Sequence, residues 1–194
     1  MRDPGRRRAS PAREKLLASA ARLFYADGVA ATGIDRIISD AGVAKMSLYN
    51  NFSSKDDLVL AYIEARHQEW LELWAARTRA ARTAAEEVLA VFDAYLDHAS
   101  AAYDHGFRGC GLLNAAAELP VDAPGREAVR RHKEQVETIL ADALAKLTDP
   151  PTAARTAEHC AFLLEGAMSR AGLEGSPERL ERARELAAGL LDAL

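Results

Sequence analysis

The sequence has 194 residues, of which 49% are hydrophobic and 28% are charged, which is ordinary for a globular protein. No apolar run approaches the roughly 18 residues that a membrane span requires, and the basic N-terminus lacks the apolar segment of a secretory signal. Only Cys110 and Cys160 are present, so we expect no disulfide framework and a cytoplasmic protein with reduced thiols.

The net charge of −4 conceals an uneven distribution along the chain. Residues 1–55 contain ten Lys and Arg against five Asp and Glu, whereas residues 56–194 contain fifteen against twenty-four. The first part is therefore basic and the remainder acidic. This pattern favours a polyanion-binding N-terminal part, residues 1–55, which we call the head. The remainder, residues 56–194, which we call the body, would avoid DNA. A chance asymmetry of charge is the alternative interpretation.

Residues 1–9 contain a proline, a glycine and the run Arg6-Arg7-Arg8, and this composition predicts a disordered basic arm. Two interpretations of the arm stay open. It contacts a DNA backbone or minor groove, or it is a solvated tail.

The first predicted helix begins at Ser10-Pro11, because serine is a common N-cap and proline fits the first helical turn. Its buried stripe consists of Leu16, Leu17, Ala20, Leu23 and Phe24. Asp27-Gly28 ends the helix. We expect this helix to brace the next two helices, which are too small to bury a core alone.

The stretch from Thr32 to Lys55 predicts two short helices joined by a glycine-containing turn. Thr32 and Asp35 predict a capping box at the first helix, Gly42 predicts its end, and the second helix runs from Ala44 to Phe52. This is the pattern of a helix-turn-helix, whose second helix can enter a DNA major groove.

The 100° step of a helix places Met46 and Asn50 opposite the apolar face of the second helix, with Ser47 and Tyr49 on the flanks. Lys45 lies at the N-terminal end, where recognition helices usually reach base edges. Lysine can donate to guanine and asparagine pairs well with adenine. A solvated surface helix is the alternative interpretation.

These residues carry a family resemblance. From Pro11 to about Arg66 the chain resembles the DNA-binding domain of the TetR family of bacterial transcriptional regulators. The matching residues run in order without gaps: Leu23-Phe24, Gly28, Thr32, Ile37, Ala41-Gly42-Val43, Leu48-Tyr49, Phe52, Ser54-Lys55 and Leu58. Met46 and the Asn50-Asn51 pair depart from the residues frequent in the family, which bears on the operator sequence and not on the fold.

The resemblance also implies the DNA contacts, position by position. The implied readers of base edges are Lys45, Met46, Ser47 and Asn50, and the implied phosphate contacts are Thr32, Tyr49, Asn51 and Lys55. Lys55 begins the next predicted helix, which is capped by Ser53-Ser54 and runs to about Ala80. This long helix is expected to link the head to the body mechanically.

The middle of the chain is expected to bind an effector. Thr83 and Glu86 form a capping box that starts a helix to about Tyr103, and a short helix follows from Cys110 to about Leu119. The short helix resembles a motif in one branch of TetR-family C-terminal domains. The candidate effector-binding residues are Trp70, Phe92, Tyr95, His98, Phe107, Cys110, Asn114 and Glu118. Aromatic residues at helical spacing are equally explained as core, and no residue spacing suggests a metal site or a cofactor.

Three helices complete the chain. The first runs from Pro124 to about Leu147, with a solvated side made of Arg126, Arg130, Arg131 and Lys133. The last two cover 152–171 and 177–194. Their apolar faces consist of Ala157, Ala161, Leu164, Met168 and Ala171, and of Leu180, Ala183, Ala187, Leu190 and Leu194. These faces pack inside one subunit or form a homodimer interface, and the resemblance favours the dimer.

We therefore expect an all-α fold of about nine helices, with a basic arm at 1–9, a three-helix DNA-binding domain at 10–54 and an effector-binding and dimerisation domain at 55–194. The resemblance implies a dimeric repressor that binds a pseudo-palindromic operator in double-stranded DNA and is released by a small molecule. The alternatives are a regulator of the same fold that works through a protein partner or as an activator, and an α-helical enzyme or interaction protein. No catalytic motif is present, so we do not expect an enzyme.

Overall fold

The computed structural model describes residues 10–100 and 106–194, and this part of the chain contains nine α-helices and no strands. The helices are α1 (Pro11–Asp27), α2 (Ile34–Ala41), α3 (Lys45–Tyr49), α4 (Lys55–Thr78), α5 (Ala84–Ala99), α6 (Gly111–Ala117), α7 (Pro124–Leu144), α8 (Pro150–Glu174) and α9 (Glu178–Leu191). The all-α prediction is confirmed. The predicted arm at 1–9 and the predicted helix end near Tyr103 lie outside the described residues.

Local capping interactions set several of the helix ends. The Ser10 and Ser54 side chains accept hydrogen bonds from the third helical residue of α1 and α4, and Thr83 and Glu86 form the predicted capping box at α5. Gly42 ends α2 in the left-handed conformation, with φ of 62°, which glycine adopts without steric cost.

Several predicted boundaries were wrong. Gly33, not Thr32, is the N-cap of α2, and it supplies no side-chain cap. The helix α3 spans five residues and ends before the predicted Phe52. The helix α8 begins two residues before the predicted start, because Pro150 and Pro151 occupy its first turn, where their missing N–H groups cost nothing.

The helix α1 braces the helix-turn-helix through a small shared core. Leu16, Leu23, Ile37 and Leu48 are buried there with at most 3% of their surface exposed. The buried Ser19 hydroxyl of α1 lies 3.3 Å from the Ile37 carbonyl of α2 and also contacts a carboxylate of that helix. Apolar burial and the hydrogen bonds of Ser19 thus hold the helix-turn-helix against α1, since α2 and α3 are too small to form a core alone.

The remaining helices form the body around a second part of the core. The long α4 packs against α5 and α7, and α8 packs against α7 and α9. Tyr62 of α4, Phe92 of α5, Leu140 of α7 and Leu164 of α8 are each at most 1% exposed. The helix α4 also packs against α1, so it contacts both the DNA-binding part of the chain and the body.

The predicted apolar faces of α8 and α9 do not face outward. Most of their residues, including Leu164, Met168 and Leu180, are buried inside this one chain. A different stripe is exposed on α8, with Phe162 at 66% and Leu173 at 81% exposure. We define the outer face as the exposed α8 residues Phe162, Gly166, Ser169 and Leu173 together with the exposed α9 residues Leu186 and Gly189.

No helix in the described ranges combines the length and the apolar character that a membrane span needs.

Candidate DNA-binding surface and ligand cavity

The short helix α3 divides into a buried side and an exposed side. Leu48 is fully buried and Phe52, just beyond the helix, is 2% exposed, so both anchor α3 on the head. Met46 is 67% and Tyr49 50% exposed, and Asn50 is also exposed. Large side chains left in solvent on a helix that is otherwise anchored mark a surface for a partner.

Lys45 stands at the start of α3 and is paired with α2. Its Nζ lies 3.0 Å from Oδ1 of Asp35, and both side chains are largely exposed. The hydrogen bond to Asp35 raises the pKa of Lys45 above its usual value. Such an exposed pair is weak in water, which leaves Lys45 free to exchange its partner for a base or a phosphate.

Asn51 is occupied by contacts within the head. Its amide nitrogen donates to the Ser47 carbonyl at 2.7 Å, and its Oδ1 accepts from the Ser10 hydroxyl at 2.8 Å. The start of α1 is therefore tied to the end of α3. Asn51 and Ser47 are half-buried, and so is Lys55, the first residue of α4.

The Thr32 side chain does not lie at this surface. It is fully buried, and its hydroxyl lies 2.7 Å from the Gly28 carbonyl and 3.3 Å from the Leu23 carbonyl. A hydroxyl committed to the end of α1 cannot also reach a phosphate. We therefore remove the Thr32 side chain from the set of DNA contacts, and its position explains why the predicted capping box is absent.

A cavity of about 660 Å³ lies at the junction of the head and the body. It is lined mainly by aromatic and aliphatic side chains, with a few polar groups, as small-molecule sites usually are. The lining residues with the largest aromatic rings are Tyr25 of α1, Tyr62 and Trp70 of α4, and Tyr95 of α5.

The cavity contains four of the eight predicted effector-binding residues: Trp70, Tyr95, His98 and Cys110. The other four lie elsewhere. Phe92 and Phe107 are buried in the hydrophobic core, which is the alternative that their helical spacing left open.

The side chains of Asn114 and Glu118 instead form hydrogen bonds with backbone groups of this chain. The Asn114 amide donates to the Arg108 carbonyl at 3.0 Å and lines a second, smaller cavity beside α8. The Glu118 carboxylate accepts from the N–H groups of Val29 and Ala30 at 3.1 and 2.6 Å. Glu118 therefore joins the end of α6 to the loop after α1.

Two histidines in the cavity wall are uncharged at neutral pH. Burial, with the charges of Arg66 and Lys133, lowers the pKa of His98 to about 4. Burial and the neighbouring Lys133 charge lower the pKa of His132 to about 3. The Nδ1 atoms of His67 and His132 are 2.9 Å apart, a contact in which one ring donates and the other accepts.

Lys133 was predicted to be solvated, and this prediction was wrong. Its Nζ lies 2.7 Å from the Glu165 carboxylate of α8, 3.4 Å from the Tyr95 hydroxyl and 3.8 Å from the Cys110 sulfur. Burial disfavours the Lys133 charge, but the acidic groups around it outweigh that effect and hold its pKa above the usual value. Burial in turn raises the pKa of Tyr95 to about 12.

Several cavity residues were not predicted from the sequence, notably Tyr25, Tyr62 and His132. Tyr25 follows Phe24 in a helix that was assigned only to the support of the DNA-binding domain. The histidines carried a usable signal, because a buried histidine on an apolar helix face calls for a partner.

The comparisons with known proteins agree with this architecture. A family model described as bacterial regulatory proteins, tetR family, matches residues 16–62. A TetR-family transcriptional regulator from Streptomyces coelicolor has 35% identity and a TM-score of 0.85, over 95% of this chain and 96% of that chain. A TetR regulator from Chloroflexus aurantiacus has 27% identity and a TM-score of 0.76, over 93% and 94%. No curated protein matches the chain in sequence.

A helix-turn-helix with an exposed recognition helix on a larger helical body defines a DNA-binding regulator of transcription. The chain belongs to the TetR family of bacterial transcriptional regulators. The family resemblance noted in the sequence is thereby confirmed.

Proposed function

We propose that the protein is a dimeric transcriptional repressor that binds a pseudo-palindromic operator and is released by a small molecule. The exposed side of α3 is the observation that carries this proposal. In our assignment Lys45, Met46, Ser47 and Asn50 read bases, while Tyr49, Asn51 and Lys55 contact phosphates. The operator lies in the bacterial cytoplasm, and we place the protein there.

Charge supports the proposed orientation on DNA. The ten basic residues of 1–55 outnumber the acidic ones two to one, whereas the rest of the chain is acidic. Phosphates attract the head and repel the body, so the molecule approaches DNA with α3 leading.

The outer face of α8 and α9 supports dimerisation. Phe162 and Leu173 are exposed apolar residues on one stripe, and Gly166 between them has open space around it. Small and apolar residues in one stripe allow two helices to approach closely. A two-fold dimer through this face would present two α3 helices to half-sites about 34–36 Å apart.

The cavity favours release by a small molecule over action through a protein partner alone. A mostly apolar space of about 660 Å³ at the junction of the head and the body is within the size range of small-molecule sites. A ligand bound there would stabilise the folded protein.

Selection of bound fragments from genomic DNA, followed by titration of the selected duplex, tests the proposal. We expect a pseudo-palindrome, binding that weakens steeply with salt, and a preference of at least about 1,000-fold over a scrambled duplex. Equal affinity for the selected and scrambled duplexes would show that the helix-turn-helix does not read sequence in this protein.

A further inference from the structure

The DNA-binding head itself forms one wall of the cavity. Ala18, Ala21 and Tyr25 of α1 line it together with Trp70 and Leu73 of α4. A molecule in this space therefore contacts the helix on which α2 and α3 are mounted. No intermediate element is needed between the bound molecule and the head.

Tyr25 connects that wall to the segment before α6. Its hydroxyl accepts from the Arg108 N–H at 2.6 Å and lies 3.2 Å from the Gly109 carbonyl, to which it donates. The Arg108 guanidinium also contacts α1, because it donates a hydrogen bond to the Tyr25 carbonyl at 2.9 Å. Tyr25 thus faces the cavity with its ring and holds residues 108 and 109 with its polar groups.

The short helix α6 is joined to the head at both ends. Arg108 precedes it, and Glu118 at its C-terminal end holds the N–H groups of Val29 and Ala30. Gly111 and Leu112, between these two attachments, line the cavity. These contacts couple the position of α6 to the end of α1.

The lining of the cavity is unsuited to an anion. Its basic groups are already engaged, Arg22 with Asp40 and Arg66 with Glu69, and the carboxylates of Glu72 and Asp97 also belong to the lining. Beside the lining residues Tyr95 and Cys110, the Lys133 ammonium is paired with Glu165 at 2.7 Å. An anion would lose its water without gaining a free basic partner, whereas an uncharged aromatic ring would find matching walls.

We propose that the cavity takes an uncharged aromatic molecule in direct contact with α1, and that Tyr25 is the positioning residue through which that molecule reorients the DNA-binding head. The proposal rests on the proposed function, because it concerns how a ligand weakens operator binding. By linkage, the operator must weaken ligand binding by the same factor.

N-phenyl-1-naphthylamine, an uncharged dye that fluoresces in apolar sites, is a suitable probe. Its dissociation constant is measured for the wild type alone and with saturating selected duplex. We expect the duplex to weaken probe binding about fivefold or more. For Tyr25→Phe we expect this ratio to fall below about twofold, whatever the affinity of the free variant. Tyr62→Phe, which removes a hydroxyl from the same cavity but no hydrogen bond to 106–110, should keep the ratio.

Two further arms test the site and its charge preference. Ala21→Trp, which fills the cavity from α1, should abolish probe binding, whereas Ala154→Trp at an exposed position of α8 should not. 8-Anilino-1-naphthalenesulfonate adds only a sulfonate to the same ring system, and we expect it to bind about tenfold more weakly, or worse.

The proposal fails if the uncharged dye does not bind saturably, if Ala21→Trp leaves its affinity unchanged, or if the sulfonate binds equally well. It also fails if Tyr25→Phe keeps the wild-type ratio or if Tyr62→Phe loses it. These outcomes leave sequence-specific DNA binding intact. Failure of the selected duplex to bind at all would instead reject the proposed function.

Discussion

Lys55 lies at the N-terminus of α4, directly after the helix-turn-helix. Its ammonium and the positive end of the helix dipole both favour a phosphate. Lys55→Ala should therefore weaken binding to matched and unrelated duplexes by the same factor and make the salt slope shallower by about one. Titrations at several salt concentrations measure both effects. Lys146→Ala, in the body and paired with Glu87, should change neither.

Asn50 is exposed beyond the end of α3 and belongs to the base-reading set. An asparagine that pairs with adenine discriminates against other bases by about 1–3 kcal/mol. Asn50→Ala should lower affinity for the selected duplex and leave affinity for a scrambled one nearly unchanged. The ratio of the two affinities is the readout. If that ratio were the same in the variant and the wild type, Asn50 would not be a base reader.

His98 and His132 give the folded protein a predictable pH dependence. Their pKa values in the fold are about 4 and about 3, below the ordinary 6.5. As pH falls below 6.5 the unfolded chain binds protons that the folded chain does not, so stability is full above 6.5 and decreases below it. Each histidine should cost about 1.4 kcal/mol per pH unit until its folded pKa is reached.

Denaturant unfolding between pH 6.5 and 5 measures this slope before most carboxylates titrate. His132→Gln should make the slope shallower by removing the His132 contribution, while His98 and His67, whose pKa values are also lowered by burial, still contribute. The exposed His159 serves as the control position. Stability that is flat with pH in this range would contradict the buried, uncharged state of the two rings.

At the scale of elements, the junction between α1 and α6 depends on Gly28. Its φ of 91° is a conformation that other residues rarely adopt, and an added Cβ would lie 2.7 Å from the Glu118 Oε1. Gly28→Ala should therefore destabilise the protein by about 2 kcal/mol or more. Gly42→Ala has a positive φ but open space, so it should cost only about 1 kcal/mol.

The double variant Gly28→Ala with Glu118→Ala separates the two costs of the first change. Removal of the carboxylate relieves the contact but also removes the hydrogen bonds to Val29 and Ala30. The two substitutions should consequently be non-additive in denaturant unfolding. Simple additivity would mean that Glu118 does not approach Gly28 in solution.

A contact could be predicted from the sequence when its two partners are close together along the chain. The caps at Ser10, Ser54 and Thr83 involve partners three residues away, so their signals are local and were read correctly. The Glu118 contact to Val29 joins residues 89 positions apart. No local pattern contains that information, and Glu118 looked like a polar cavity residue.

The same reason explains the errors at Thr32 and Lys133. A threonine before a helix usually caps it, but here its buried hydroxyl donates to the Gly28 carbonyl at 2.7 Å. A lysine in a run of basic residues is usually solvated, but the carboxylate of Glu165 lies on a neighbouring helix. Both side chains found partners that only tertiary packing brings near.

At the scale of the whole molecule, the outer face of α8 and α9 determines whether two heads act together. Phe162→Lys places a charge on an exposed apolar stripe, and in a dimer that charge would be buried without a partner. We expect the variant to be monomeric at concentrations where the wild type is a dimer. Sedimentation equilibrium measures this, and Val121→Lys, at another exposed apolar residue, should leave the dimer intact. A wild-type monomer would contradict the proposed assembly.

One measurement tests both the dimer and the recognition helix. It is the affinity of the wild type, at fixed salt concentration, for duplexes that contain two half-sites, one half-site or none. We expect tight binding to two half-sites spaced by one helical turn, much weaker binding to one, and the weakest binding to none. Phe162→Lys should reduce the advantage of two half-sites over one. Equal affinity for all three duplexes would show that α3 does not recognise a DNA sequence.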